Sequence, residues 1–365
     1  MSDTLLHTPL EAAHIELGAK MVPFGGWYMP VQYTSILDEH AAVRNNCGVF
    51  DISHMGQVVI EGEQAEFWLN KMLANNVAVL PAGGGQYSFL LNENGGVIDD
   101  LIIYRESATK FFAVINASRI KEDMAQLSTH LPTDVVLTNE SDLWAGLAVQ
   151  GPQASAVFAH IFPNVTLPPR NGILRFMEQG QELVVCRTGY TGEDGFEFFS
   201  PAEHGGTWMH TFIKHGAKPC GLGARDSLRL EMGYPLNGND LSEELTPLEA
   251  GLGFFVDLNK GDFIGRDVLA RQKTDGITRK LVGLQYNEKG APPRAHYTVE
   301  TPSGEVIGEL SSGVHSPSLQ TGIGMAYVPI AYSKLGTDLC IDVRGRKFSA
   351  KVVKKPFYKT ANKGA

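Results

Sequence analysis

The sequence predicts an α+β fold that ends in a small all-β domain, and three observations point there. Strand and helix periods succeed one another without the regular alternation that a parallel sheet needs. Two strands and a helix over 183–215 resemble an earlier block over 86–131, which suggests an internal duplication. Beyond the polar stretch 273–279 the pattern changes to short strands with frequent turns.

Taken in order, residues 35–44 set Ile36, Leu37, Ala41 and Val43 among acids, as a capped, half-buried helix does. Residues 50–60 alternate as one strand. Residues 63–80 are helical in period, with Phe67, Trp68, Leu69, Met72 and Leu73 on one side, and Pro81-Ala-Gly-Gly-Gly85 ends that helix. Strands follow at 86–91 and 97–104 around the turn Asn92-Glu-Asn-Gly-Gly96. A strand at 111–116, a helix at 120–131 and a strand at 143–150 complete the first round. In the second, 183–188 and 195–200 are strands around a glycine-rich turn, 201–215 is a helix, and 227–232 is helical behind Gly221-Leu-Gly-Ala-Arg-Asp226.

Composition excludes several classes. A chain of 365 residues suits two or three domains. No run approaches the roughly 20 apolar residues of a membrane-spanning helix, so no membrane role is expected. The opening stretch carries acids and lacks the pattern of a secretory signal, so a cytoplasmic location is expected. A net charge of -9 repels nucleic acid, and no nucleic-acid partner is expected. The four cysteines lack C-x-x-C spacing and read as reduced, mostly buried thiols. The histidines show no ligand spacing, which gives no expectation of a metal. No Walker or Rossmann fingerprint and no Gly-x-Ser-x-Gly elbow is present.

The acids inside apolar strands carry the chemical interest. Asp99 and Asp100 are neighbours on a strand, so only one of them can face a given pocket. Asp100 shares a strand face with Tyr104, and Tyr87 and Asn116 fall on neighbouring strands; an acid facing aromatics fits a ligand wall. Glu197 lies within Phe196-Glu-Phe-Phe199, where burial raises its pKa and calls for donors, from Arg225 or from a ligand.

The decisive feature is the order of the motifs. Phe24-Gly-Gly-Trp27, Phe50-Asp-Ile-Ser-His-Met-Gly56, Gly95-Gly-Val-Ile-Asp-Asp-Leu101, Arg187-Thr-Gly-Tyr-Thr-Gly-Glu-Asp-Gly-Phe-Glu197, Gly221-Leu-Gly-Ala-Arg-Asp226 and Thr246-Pro-Leu-Glu-Ala-Gly251 follow one another. In this order they resemble the aminomethyltransferase family, the T-proteins of the glycine cleavage system, from Thr8 to Tyr358. The resemblance implies a cloverleaf of two related folate-binding α+β subdomains plus a C-terminal β-barrel. The folate-binding region would be 1–275, interleaved as about 1–50 with 140–275, and 51–139; the barrel would be 276–365.

It also implies the activity: the methylene of an aminomethyl group on a lipoylated H-protein carrier passes to tetrahydrofolate, with loss of ammonia. Tetrahydrofolate is then a substrate, and neither metal nor flavin is implied. Asp100 would sit beside folate nitrogen-10, as an orienting anion or as a proton acceptor during ring closure, with Asp99 its structural partner. Tyr87, Tyr104 and Asn116 would line the cavity, Met55 would pack on the ring system, and Glu197 would hold the pterin edge with Arg225 and Tyr190 near it. The two donors on that edge match the two oxygens of one carboxylate. The basic stretch 351–359 is the candidate for the anionic folate tail.

Two positions depart from the family: Asn237, where relatives usually carry tyrosine, and Ser318-Leu-Gln-Thr321, where they carry Thr-Leu-Gly-Lys. A flavin-linked sarcosine or dimethylglycine dehydrogenase would be expected to bring a Rossmann segment. A folate-binding protein of iron–sulfur maintenance would be expected to bring Lys-Gly-Cys-Tyr-x-Gly-Gln.

Overall fold

The computed structural model describes residues 5–360; the first four residues of the opening stretch and the last five of 276–365 lie outside it. Two sheets with the same internal order make up most of the fold. One runs Gly85–Leu91, Val97–Arg105, Lys110–Ile115, Gly56–Glu61, Val136–Asn139. The other runs Ile173–Glu178, Gln181–Cys186, Gly195–Pro201, Trp144–Gln150, Gly48–Asp51, and ends on Lys218–Pro219. In each, a three-stranded meander is flanked by a strand that precedes it in the chain. Helix Ala65–Met72 occupies the place in the first sheet that Ala154–Ile161 occupies in the second, and Ile120–Ser128 corresponds to Gly205–Lys214. The expected duplication is therefore a shared topology, with Gly48–Asp51 reaching forward to pair in the second sheet.

The alternation of side chains along strands explains how the sheets stack. Phe50, Val59, Phe112, Val114, Val184 and Phe199 project between the sheets into one buried cluster. Val58, Ile60, Ile103 and Phe111 pack the opposite way against Trp68, Leu69 and Met72. Phe196 and Phe198 do the same against Trp208 and Phe212.

Beyond them, Arg279–Tyr286, Thr321–Pro329, Val306–Ser316, Thr298–Glu300, Asp338–Val343 and Arg346–Val353 close into a six-stranded barrel. Closure leaves no free strand edge. The polar stretch before it is partly helical: Arg266–Asp275 is a helix, Gly276 caps it at φ 90°, and the barrel starts at Arg279.

Several local expectations change. The helix predicted over 35–44 is Ile36–Asn45, capped by Ser35, whose hydroxyl accepts from the Asp38 amide at 3.1 Å. The single strand over 50–60 is two strands in different sheets. Asp51 turns inward to Thr8 (2.6 Å), His14 (2.8 Å) and the Ser53 amide (2.8 Å), and the Met55 amide closes a turn on the Ile52 carbonyl at 3.0 Å.

The helix predicted over 63–80 stops at Met72. The Asn70 side chain takes the Val77 amide at 2.9 Å, and the Lys260 ammonium bonds the carbonyls of Asn70, Leu73 and Asn75, capping the helix from far along the chain. Phe67 is exposed beneath Lys71 rather than on the packed side. The helix predicted over 227–232 starts earlier, as Leu222–Glu231, so Arg225 is helical.

Candidate active site

Asp100 and Tyr87 meet because of strand register. Tyr87 lies opposite Ile102, which shares a face with Asp100, and the Tyr87 hydroxyl donates to Asp100 Oδ2 at 2.8 Å. The Tyr87 ring is held edge-on between Phe89 (5.1 Å) and Phe255 (4.9 Å). Asn116 sits just past Lys110–Ile115 and ties the two aspartates together. Its Nδ2 lies 3.1 Å from Asp100 Oδ1 and 2.9 Å from Asp99 Oδ1, and its amide donates to Asp99 Oδ2 at 3.0 Å. Asp99 points to the opposite face and is wholly buried. Burial first, and then the charge of Asp99, push the Asp100 pKa up to about 7, against the lowering effect of the Tyr87 hydroxyl and Asn237.

Glu197 faces the same interior from the second sheet, paired in register with Ala148 and Cys186. Thr188 Oγ1 donates to Glu197 Oε2 at 2.9 Å and lies 2.6 Å from the Tyr104 hydroxyl. With the single threonine proton committed to Glu197, Tyr104 is the donor in the second bond. Tyr104 itself is wholly buried. Four residues along one strand face separate Tyr104 from Asp100, about 13 Å at the rise of a β-strand. Asp100 and Glu197 thus stand at two ends of one continuous wall. The turn before Glu197 is tight: a Cβ on Gly189 would lie 1.9 Å from Gln150 Oε1, and Gly192 adopts φ 80°.

Arg225 spreads over the Tyr190 ring at 4.7 Å, and among the described residues no carboxylate lies within salt-bridge distance of it. The donor to Glu197 is Thr188, not Arg225, although the charge of Arg225 still opposes the upward pull of burial on the Glu197 pKa. Tyr190 is anchored through its hydroxyl to the Pro235 carbonyl and stacks on Tyr234. Met55, on the turn between the sheets, packs half-buried against the inter-sheet core. His54 beside it is buried and edge-on to Phe24 and Trp27, with Nδ1 unpartnered. Burial, opposed by Asp51 and reinforced by Arg225, pushes its pKa down to about 4, so the imidazole is neutral.

The structure thus joins Asp100, Tyr87 and Asn116 in one group, Glu197 and Tyr104 through Thr188 in a second, and Arg225 with Tyr190 in a third. Thr188 lies inside the motif that begins at Arg187 but is given no role by it, and Phe255 carries no signal in the sequence. Asn237, one of the departures, is 3.4 Å from the Ile98 carbonyl and adjoins Asp100. Gln320, the other, takes a left-handed φ of 55°, a conformation easier for the glycine that the family resemblance leads one to expect there. The stretch 351–359 is not a free basic row: Lys351 pairs with Asp338 at 3.2 Å, and Lys355 lies against Gly233 and Gly283. A surface hollow of about 300 Å³ beside His160, Trp208 and His215 contains none of the candidate residues.

The GCVT N-terminal domain family matches residues 10–260, and the glycine cleavage T-protein C-terminal barrel domain matches residues 279–359. This chain belongs to the glycine cleavage T-protein family. T-protein relatives extend over its full length. An aminomethyltransferase of Symbiobacterium thermophilum is 43% identical over 376 residues, covering 100% of both chains. One of Phocaeicola vulgatus is 45% identical, covering 96% of this chain and 99% of its own. The crystal structure of glycine cleavage system aminomethyltransferase T from Bartonella henselae superposes with a TM-score of 0.91 at 34% identity, covering 98% of this chain and 99% of that one. The T-protein resemblance read from motif order therefore holds, as does the α+β fold with its C-terminal barrel. No helix among the described residues is long and apolar enough to cross a membrane.

Proposed function

We propose that this chain transfers the methylene of a lipoyl-carrier-bound aminomethyl group to tetrahydrofolate in glycine cleavage, through a site whose two working acids are Asp100 and Glu197. Folate nitrogen-5 bonds to the methylene and the carbon–nitrogen bond to ammonia breaks. Nitrogen-10 then closes the ring as the carbon–sulfur bond breaks. The two folate N–H protons end on ammonia and on the dihydrolipoyl thiol, so 5,10-methylenetetrahydrofolate, ammonium and reduced H-protein carrier result. In this reading the region 1–275 is the folate-binding part and 276–365 the C-terminal barrel domain.

The observation that carries the proposal is the common wall with Asp100 at one end and Glu197 at the other, linked through Tyr104 and Thr188. Glu197 has one oxygen on Thr188 and leaves capacity for the amino edge of a pterin. Arg225, without a carboxylate partner among the described residues, suits the adjoining ring carbonyl, with Tyr190 beneath it. Met55 supplies apolar contact to the ring. At the other end Asp100, held by Tyr87 and Asn116, faces nitrogen-10 and, as an anion, stabilises the positive charge that develops on the methylene.

Ammonia release from reduced lipoyl carrier, formaldehyde and ammonia adduct, and tetrahydrofolate tests the reading. Ammonia should appear one for one with methylenetetrahydrofolate, and product formation without ammonia would contradict it. Glu197→Gln should raise the dissociation constant for tetrahydrofolate about 10- to 100-fold, the value of one charge-assisted bond. Isothermal titration reads this directly, and an unaltered constant would remove Glu197 from the site.

The pH dependence follows from Asp100. Its pKa is raised to about 7, so below that pH the carboxyl is neutral and cannot stabilise a cation. The ratio kcat/KM for tetrahydrofolate should therefore fall as pH drops through about 7 and level off above it. A profile flat between pH 6 and 8, on the order of one unit either side of that value, would exclude an ionised Asp100 as the working form.

A further inference from the structure

Behind Asp100, on the side of the sheet away from the site, lies a second acid that the mechanism does not yet use. Helix Ile120–Ser128 packs on strand Val97–Arg105 and buries Asp123 completely, on the helix that adds Ile120, Met124 and Leu127 to an apolar cluster containing Ile98 and Leu101. Neither oxygen of Asp123 receives a hydrogen bond from any described residue. The polar group in its reach is the Asp99 carboxylate, equally buried. Arg119, one turn earlier, sends its guanidinium to Glu243 at 2.6 Å.

Two carboxylates in one apolar space cannot both ionise at neutral pH. Hydrogen bonds decide which of them keeps the proton. Asp99 accepts from the amide and the side chain of Asn116 at 3.0 and 2.9 Å, whereas Asp123 has no hydrogen-bond donor among the described residues. The anion therefore belongs on Asp99 and the proton on Asp123. Burial and then the charge of Asp99 push the Asp123 pKa up to about 11; burial raises the Asp99 pKa too, but the hydrogen bonds from Asp123 and Asn116 oppose it there, so Asp123 is the group that holds the proton.

We propose that Asp123 is a positioning residue for the transfer step: as a neutral acid it donates to Asp99 from behind the sheet, and the Asp99 anion so held fixes Asn116 against Asp100. This rests on the role given to Asp100, and it extends the site by two steps into the interior. The groups facing the pair are Arg119 just before the helix of Asp123, Glu122 on that helix, Asp100 from the strand of Asp99, and Asn116. Those facing Asp100 are Tyr87, Tyr190 and Asn237.

Two substitutions in the full chain separate positioning from packing. Asp123→Asn retains a donor toward Asp99 and should keep kcat within about threefold, with the acid limb in place. Asp123→Leu removes the donor. Burial then acts on Asp99 without the bond from Asp123, so its pKa rises further; as Asp99 takes up a proton its charge raises Asp100 less, and the acid limb should move to lower pH. Its kcat should fall about tenfold while KM for tetrahydrofolate changes less than about threefold.

Equal losses in both variants, or no change of limb or kcat in either, would overturn the proposal. Should Asp123→Leu not fold, infrared spectra at neutral pH decide: the parent should show the carbonyl band of a protonated carboxylic acid that Asp123→Asn lacks, and no difference between them would overturn it. The infrared result is independent of turnover, and Asp100→Asn on the same preparation tests the role of Asp100 separately.

Discussion

Exchange of Asp100 for asparagine is expected to lower kcat by about 100- to 1,000-fold, the usual effect of removing a group aimed at developing charge. Tetrahydrofolate should still bind within about threefold of the parent, because the proposed contacts to the ring system lie at the Glu197 end of the wall. The substitution is close to isosteric but changes two things. It removes the negative charge, and it leaves one acceptor where Asp100 offers two, to Tyr87 and to Asn116. One of those neighbours must turn its donor away or face the new amide. The acid limb of kcat/KM near pH 7 should vanish with the carboxylate. Single-turnover ammonia release alongside folate titration measures both effects, and near-parental turnover with intact binding would remove Asp100 from the chemistry.

The largest expected effect on stability lies elsewhere, at Glu231. Its buried carboxylate accepts from Arg44 at 2.7 and 3.1 Å, from the Ser318 amide at 3.0 Å and from the hydroxyls of Ser316 and Ser318. Arg44 also pairs with Glu193 at 2.8 Å and carries the Tyr358 ring at 4.5 Å. One carboxylate thereby ties helix Ile36–Asn45, helix Leu222–Glu231 and the turn after barrel strand Val306–Ser316 together.

Glu231→Ala should destabilise the protein by about 3–5 kcal/mol, because it leaves the buried Arg44 guanidinium with Glu193 as its one carboxylate and strips three further donors of their acceptor. Urea unfolding at pH 7 reads this, and a loss below about 1 kcal/mol would mean that water replaces the carboxylate at no cost. The pH dependence has a definite sign. Burial opposes ionisation, but the hydrogen bond and charge of His40, with Ser316 and Arg44, hold the Glu231 pKa down to about 2. Its contribution is thus fully present above the ordinary glutamate pKa of about 4.3 and is lost as pH falls from there through about 2. In Glu231→Gln that part of the acid unfolding should be missing.

By itself the sequence determined which strand faces the candidate acids share and in what order the motifs run, because strand alternation and motif spacing are local properties. The two-residue repeat was enough to set Asp99 and Asp100 on opposite faces and Asp100 with Tyr104. The order of the motifs was enough to identify the T-protein family.

Only the tertiary structure decided which partners satisfy those acids. Thr188 meets Tyr104 across 84 positions, Arg44 meets Glu231 across 187, and Lys260 caps Asn70 across 190. No periodicity in a short window encodes such pairs, because each depends on where the two sheets and the barrel come to rest. The same reason covers the two errors along the first sheet. The strand over 50–60 divides because Asp51 is called inward by Thr8 and His14, and the helix over 63–80 ends early because Asn70 and Lys260 cap it at Met72. Where a carboxylate finds its donors, and whether it keeps its proton, was settled by burial and neighbours brought together only in three dimensions.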